Sequence, residues 1–373
     1  MAETEQGPVT AILVVNVGSS SLKLRVLNDA DSVTASADLP APRGAADTAA
    51  IEAAIEPFGK VHAVGHRIVH GGQEFTGPVL IDADVRSRIG ALTDLAPLHQ
   101  PKSLAALDAV RAVLPDVPAV ACFDTAFHAT IPAAAATFAL PASWRERWTL
   151  RRFGFHGLSH AYVSRRAAEL LGGDGSALRV VSCHLGAGAS LAAVLGGRSV
   201  DTTMGFTPLD GLVMATRSGS VDPGLVLWLQ THAGMPAAEL GDALEHESGL
   251  YGLAGTGDMR DILSRAAAAE PRAELARDVY LHRLAGSVAA MAAALGGLDA
   301  LVFTGGVGEN SAEIRSRAAG RLGFLGVRVD QERNAAGTGD RDIGAPDAGV
   351  RTLMIAARED IEIARQVRAV VHP

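Results

Sequence analysis

Short apolar runs with strand character alternate with alanine-rich helical stretches along the whole chain, the patterning of an α/β protein. Two of these runs resemble each other. Val15–Leu27 reads VNVGSSSLKLRVL, and Cys183–Leu195, 168 residues later, reads CHLGAGASLAAVL. Each is a short apolar strand, a polar residue (Asn16 or His184), a small-residue loop opened by Gly18 or Gly186, and a second strand ending Val-Leu. A later strand-like run ends at Gly71-Gly72 (VGHRIVHGG), and its counterpart ends at Gly305-Gly306 (LVFTGG) in the same order. Self-similarity of this kind implies a duplicated domain. The first copy is expected over 1–147, completed by 357–373, and the second over 148–356. The break is placed where LPASWRERW interrupts the apolar pattern with Pro141 and a charge cluster. The stretch Asn334–Gly349 reads as a surface loop, and Arg358–Val371 as an amphipathic helix returning to the first domain.

Length agrees with two domains, since 373 residues exceed what one small core organises. A net charge of −8 and a pI near 5.8 leave no electrostatic footprint for nucleic acid, although a small anionic ligand needs only a few local cations. Three lysines (Lys23, Lys60, Lys102) stand among 33 basic residues, a bias that reads as genome composition. Cys122 and Cys183 lie in apolar runs, form no C-x-x-C, and are expected as buried reduced thiols. The acidic N-terminus, MAETEQGPVT, lacks the order of a signal peptide, and the weakly polar run Ala285–Phe303 reads as a packed helix followed by a strand. The expectation is a cytoplasmic protein with no membrane partner.

The chemistry lies in loops. Neither G-x-x-x-x-G-K-[ST] nor a G-x-G-x-x-G between strand and helix occurs, which removes P-loop and Rossmann readings. Four small-residue loops remain: Gly18–Ser21, His184–Gly188, Gly255–Gly257 and Gly305–Glu309. Such loops let backbone amides approach phosphate oxygens. Arg67 (HRIVHGG), Asp124 (CFDTAFH) and Arg217 (MATRSGSVDP) each follow a strand-like run, where loops carry function. His156 and His160 share helical spacing, but no third ligand or H-E-x-x-H supports zinc.

With VNVGSSSLK, HRIVHGG, APLHQP, FDTAFH, RRFGFHGLSH, HLGAGAS, DTTMGFTPLDGLVMATRSG, ESGLYGL, FTGGVGENS and Glu359 in order, the chain from about Ile12 to its C-terminus resembles the acetate kinase family. The resemblance implies a duplicated ribonuclease-H-like fold, of the kind shared by actin, sugar kinases and the heat-shock 70 ATPase, and a homodimer. It implies Mg²⁺ at Asn16 and Glu359, with Mn²⁺ as an alternative, and ATP/ADP as one substrate pair. Lys23 would reach the nucleotide phosphates. The nucleotide site would comprise His184, Leu185, Gly186, Ala187, Gly188, Asp258, Met259, Arg260, Gly305, Gly306, Val307, Gly308 and Glu309. Arg67 would hold the carboxylate substrate, Asp124 would be the catalytic carboxylate, and His156 and Arg217 would stabilise the transition state. Val69, Leu98, Phe155 and Pro208 would form a small acyl pocket. Gln100, Leu158, Ala187, Ala215 and Asp360 depart from the usual family residues; none removes a charged catalytic group.

The implied reaction is Mg-dependent phosphoryl transfer between ATP and acetate, with propionate or another short-chain acid as the alternative. Bringing two anions together calls for cations, which suits Arg67 and Arg217. A carboxylic acid is already ionised near pH 7, so Asp124 is expected to orient neighbours rather than remove a proton. A nucleotide-driven binding module without acyl acceptor is the competing class, disfavoured by the two arginines and FDTAFH.

Overall fold

The computed structural model describes residues 11–18, 21–40, 47–172 and 175–372. The chain divides into two compact units: one runs up to Ala129 and resumes at Arg358, and the other is Thr130–Ala357.

The first unit is built on strands β1 (Ile12–Val17), β2 (Ser21–Leu27), β3 (Val33–Pro40), β4 (Ala63–Ile68), β5 (Val79–Leu80) and β6 (Ala119–Phe123). They form one mixed sheet in the order β3-β2-β1-β4-β6-β5. The first three make an antiparallel meander, β4 and β6 continue parallel to β1, and β5 closes the edge antiparallel. Alternation along β1 and β2 sends Leu13, Val15, Val17, Leu22, Leu24 and Val26 into one core with Ile51, Leu104 and Leu107. The C-terminal helix Glu359–Val371 packs on this sheet. Gly65 of β4 makes room for it: a Cβ there would stand 2.4 Å from Ile363 and 2.7 Å from Val367. The chain's last element is therefore part of the first unit, with Ile363 and Val367 fully buried.

The second unit repeats the plan with β7 (Arg179–Leu185), β8 (Ala189–Leu195), β9 (Arg198–Thr202), β10 (Ala300–Thr304), β11 (Arg341–Asp342) and β12 (Arg351–Met354). The order is β11-β12-β10-β7-β8-β9, again a meander followed by two parallel strands and an antiparallel edge. Strand for strand this matches the first sheet, so the chain has the duplicated α/β fold. The helix Pro271–Ala294 precedes β10, and among the described residues no helix is long and apolar enough to cross a membrane. Cys122 and Cys183 are free and buried, and burial pushes both thiols up from their ordinary values.

Three expectations need correction. The division falls after Ala129, ahead of the charged segment. Residues beyond it are tied into the second unit: the Thr130 hydroxyl donates to the Ser199 carbonyl at 2.7 Å and the Arg152 amide to the Ala136 carbonyl at 2.8 Å. A charge cluster marks solvent exposure, not the place where contacts change partner. The stretch Asn334–Gly349 is not simply loop. It contributes the edge strand β11, whose Arg341 and Asp342 pair with Met354 and Leu353 of β12, and it buries Asn334 and Ile343. Arg217 does not follow a strand: Leu212–Met214 is buried in an irregular segment.

Candidate active site

In the first unit, parallel strands bring three polar side chains together at the carboxyl ends of β1, β4 and β6. Asn16 lies near the end of β1, Arg67 near the end of β4, and Asp124 immediately after β6. The C-terminal helix supplies Glu359 at its first turn. The Arg67 guanidinium grips Asp124 from its Nε (3.2 and 3.1 Å) and its Nη2 (2.6 Å). Its Nη1 donates to Asn16 Oδ1 at 3.1 Å and lies 3.9 Å from Glu359 Oε2. Asn16 Nδ2 donates to the same Glu359 oxygen at 2.8 Å.

Asp124 is only 1% exposed. Burial pushes its carboxyl up from the ordinary value, and Glu359 adds to this, while the Arg67 guanidinium pulls it back. Burial works against the charge on Arg67, but Asp124 and Glu359 outweigh it and hold the guanidinium firmly protonated. Lys23, on β2, is the register partner of Asn16 and is exposed.

In the second unit the helix Gly157–Leu171 lies over β7 and β8. His156 caps its start with φ 55, ψ 24, a left-handed backbone that costs a non-glycine residue on the order of 1–2 kcal/mol and that histidine tolerates better than most. His156, Ser159 and His160 project from one face at helical spacing toward Ser182, His184 and Ser190 on the strands. The His156 Nδ1 and His160 Nε2 atoms each lie 2.9 Å from Ser190 Oγ, and His160 Nδ1 lies 2.9 Å from Ser182 Oγ. Ser159 Oγ meets His184 Nδ1 at 2.8 Å, and the His184 ring stacks on His156 with centroids 4.4 Å apart. Gly188 keeps space open in front of this cluster: a Cβ there would stand 3.4 Å from His156 Nε2 and 3.6 Å from Arg217 Nη1. Arg217 is oriented by Glu245, which accepts from its Nε at 2.6 Å.

Beside these residues lies a cavity of about 510 Å³, within the range of small-molecule sites. Three segments line it: Gly186-Ala187 after β7, Gly257-Asp258 with Met259, Arg260 and Leu263 of the helix that follows, and Gly306-Val307 with Asn310 and Ser311, where the expected loop is the short helix Gly305–Asn310. Asp258 caps the helix Met259–Ala267 by accepting from the Arg260 amide, and the Arg260 side chain, its closest partner, helps hold the Asp258 carboxyl down at about 2. Gly305 has φ 78, and a Cβ would come within 2.9 Å of the Leu185 carbonyl, so only glycine lets the loop turn this close against β7.

Known proteins resemble the chain over most of its length. The model of the Acetokinase family matches residues 41–365. An acetate kinase of Nostoc punctiforme is 49% identical over 312 residues, covering 83% of this chain and 77% of the relative. The crystal structure of Porphyromonas gingivalis acetate kinase superimposes with a TM-score of 0.89 at 35% identity, covering 97% of this chain and all of that one. A propionate kinase from Francisella tularensis subsp. tularensis matches equally, with a TM-score of 0.89 and 35% identity over 97% of this chain. The chain belongs to the acetokinase family. It is accordingly a kinase that works between ATP/ADP and a carboxyl acceptor.

Of the nucleotide residues expected from the acetokinase pattern, Gly186, Ala187, Asp258, Met259, Arg260, Gly306 and Val307 line the cavity. His184, Leu185, Gly188, Gly305, Gly308 and Glu309 do not line it. Glu309 faces inward instead: its Oε1 accepts from the Gly305 and Ala357 amides at 2.9 Å each, pinning the loop to the exit of β12. Among the acyl residues, Val69 is buried and Leu98 is 47% exposed in the first unit, while Phe155 and Pro208 are buried in the second. Gln100, one of the departures from the acetokinase pattern, is fully buried. Its amide donates to the His70 and Ile89 carbonyls and accepts from the His70 amide, clamping the backbone next to Val69.

Several supporting residues escaped sequence reasoning. Arg315 is 2% exposed, and its Nη1 donates to the Gly308 and Glu309 carbonyls while Nε and Nη2 donate to Asn334. It thus satisfies the end of the helix Gly305–Asn310 from below the cavity, and burial lowers its pKa to about 10. Ser182 and Ser190 look like ordinary small strand residues in sequence. Their alternation with His184 across the β7/β8 hairpin was the available signal.

Proposed function

We propose that the protein transfers the γ-phosphoryl group of ATP to acetate, reversibly, giving acetyl phosphate and ADP. The observation that carries this reading is the part-buried, carboxylate-oriented guanidinium of Arg67 at the end of β4, beside Asn16 and Glu359. A planar guanidinium of fixed orientation suits a small carboxylate, and its charge offsets the repulsion between that carboxylate and the phosphoryl group. In this reading Asp124 aims the arginine and removes no proton, because the acid substrate arrives ionised. Arg217 and His156 donate to the phosphoryl oxygens as charge spreads over them, the usual source of catalysis in loose phosphoryl transfer. Lys23 approaches the nucleotide phosphates, and the loops at Gly186, Asp258 and Gly306 hold the nucleotide.

Asn16 and Glu359 place two oxygen-bearing side chains side by side, a donor set that fits a hard cation which keeps most of its waters. We assign Mg²⁺ to this pair, with Mn²⁺ as the alternative. Bound there, the ion would neutralise nucleotide phosphate charge.

Val69, Leu98, Phe155 and Pro208 are assigned to the acyl group, and the branched Val69 favours acetate over longer acids. One methylene changes selectivity by only about 1–3 kcal/mol, so propionate is the second reading. We further place the protein in the cytoplasm as a homodimer. The helix Pro223–Thr231 supports the latter: it buries none of its residues, leaving Leu225, Leu227 and Trp228 48%, 60% and 52% exposed. Trp228→Glu followed by sedimentation velocity tests this, and an unchanged dimer means another face is used.

The central test traps acyl phosphate with hydroxylamine during ATP turnover on acetate, propionate and butyrate. Hydroxamate from acetate at the highest kcat/KM supports the reading. A higher value for propionate selects the second reading, and no hydroxamate from any acid defeats both.

A further inference from the structure

The row of side chains behind His156 is continuous. Ser182 Oγ, His160, Ser190 Oγ and His156 are linked by three contacts of 2.9 Å each, and the first three groups are fully buried. A hydroxyl has one proton to donate, and a neutral imidazole has one N–H. Such a row has two self-consistent directions while both rings are neutral and the Ser190 proton stays within it. In one, Ser182 donates to His160 Nδ1, His160 Nε2–H donates to Ser190, and Ser190 donates to His156 Nδ1. His156 then carries its proton on Nε2. In the other, every bond is reversed and His156 Nε2 carries a lone pair in place of the proton. A third arrangement, in which both rings donate to Ser190 Oγ, also leaves His156 Nε2 as a lone pair.

The end of the row that faces Gly188 decides between them. His156 Nε2 and Arg217 Nη1 both face the spot where a Cβ on Gly188 would sit, at 3.4 and 3.6 Å from it. Phosphoryl oxygens only accept hydrogen bonds. A lone pair turned toward them would repel, whereas an N–H would add a donor beside the arginine.

We propose that Ser190 and His160 are positioning residues that hold His156 as the Nε2–H tautomer, with the hydrogen bonds running from Ser182 toward His156. This rests on the reading of His156 as a donor to the phosphoryl group. Ser190 is the pivot, because its hydroxyl is hydrogen-bonded to both rings. Removing its hydroxyl leaves His156 Nδ1 without the donor that fixes the tautomer. The histidine therefore divides between its two neutral forms even where the fold is intact. A glutamine at position 160 still offers an N–H in the place of Nε2 and preserves the direction.

The experiment uses the full-length protein with ¹⁵N-labelled histidine at a pH above the ordinary imidazole range, about 8. Long-range ¹H–¹⁵N correlation spectra resolve the 12 histidines, with His156 identified by its loss in His156→Gln. The wild type should show His156 as Nε2–H. Ser190→Ala and His160→Ala should move it to a mixture or to Nδ1–H, and His160→Gln should restore the wild-type pattern. In parallel, kcat should fall about tenfold or more in Ser190→Ala, with KM for ATP and acetate nearly unchanged. If Ser190→Ala does not fold, Ser190→Cys keeps the volume with a weaker donor and should give the same shift. A wild-type His156 protonated on Nδ1, or one unaltered by loss of the Ser190 hydroxyl, overturns the proposal. A tautomer shift with unchanged kcat leaves the row intact and defeats the donor role of His156.

Discussion

Replacing Arg67 by alanine should do two separable things, and the structure gives the size of each. Asp124 is 1% exposed and receives contacts of 3.2, 3.1 and 2.6 Å from the one guanidinium. Truncating Arg67 strands that carboxylate in the interior, a change that costs about 3–5 kcal/mol when one member of a buried pair is lost. Against a typical native stability of roughly 5–15 kcal/mol, this is a large fraction. Turnover should also fall by at least about 10³, since the substrate loses its counter-charge. Lost activity alone would therefore not separate a catalytic arginine from a structural one. The double variant Arg67→Ala/Asp124→Asn separates them. Removing the stranded charge should return at least about 2 kcal/mol of stability while restoring no activity. Urea unfolding should be followed by far-UV circular dichroism, because Trp144, Trp148 and Trp228 all lie in the second unit and fluorescence would miss the event. If Arg67→Ala lies within about 1 kcal/mol of wild type, the pair does not work as argued. A double variant no more stable than the single one would refute it equally.

Arg217→Ala should lower kcat by about 10³ with the fold intact; retention of more than about a tenth of wild-type activity would show that Arg217 has been misassigned. Val69→Ala should improve the propionate-to-acetate ratio of kcat/KM by up to about tenfold, and an unchanged ratio would remove Val69 from the acyl pocket. Gly188→Ala meets only ordinary contacts, so its melting temperature should stay near wild type, yet its methyl group occupies the space before His156 and Arg217 and should cost about tenfold or more in kcat/KM. His66 is 1% exposed and burial lowers its pKa to about 3. As pH falls from 7 to 5 the unfolded state takes up a proton at His66 and the native state does not. Stability should drop by about 2 kcal/mol more than in His66→Gln, and parallel pH profiles would show that His66 titrates alike in both states.

Much of this protein was legible in its sequence because the duplication is local in character. A strand, a small-residue turn and a second strand leave the same signature twice, and β8 occupies Ala189–Leu195 where the repeat placed its second strand. Likewise the apolar face of the C-terminal helix follows from 3.6-residue spacing, which needs no knowledge of the rest of the chain. Contacts between distant residues leave no such signature. Asn16 and Glu359 are 343 positions apart, and only the parallel order of β1, β4 and β6, with Gly65 admitting the last helix, brings them to 2.8 Å. The same is true of Arg315, whose side chain looks like one more surface arginine until the chain folds Gly308 and Asn334 around it. The row from Ser182 to His156 is another case. Sequence sets the spacing of its histidines along a helix and of its serines along two strands, but the packing of that helix on that hairpin decides that a hydroxyl lies between two rings. Patterning along the chain fixes which face of each element turns inward. Which inward faces then meet depends on how the elements stack, and that determines which groups share a proton.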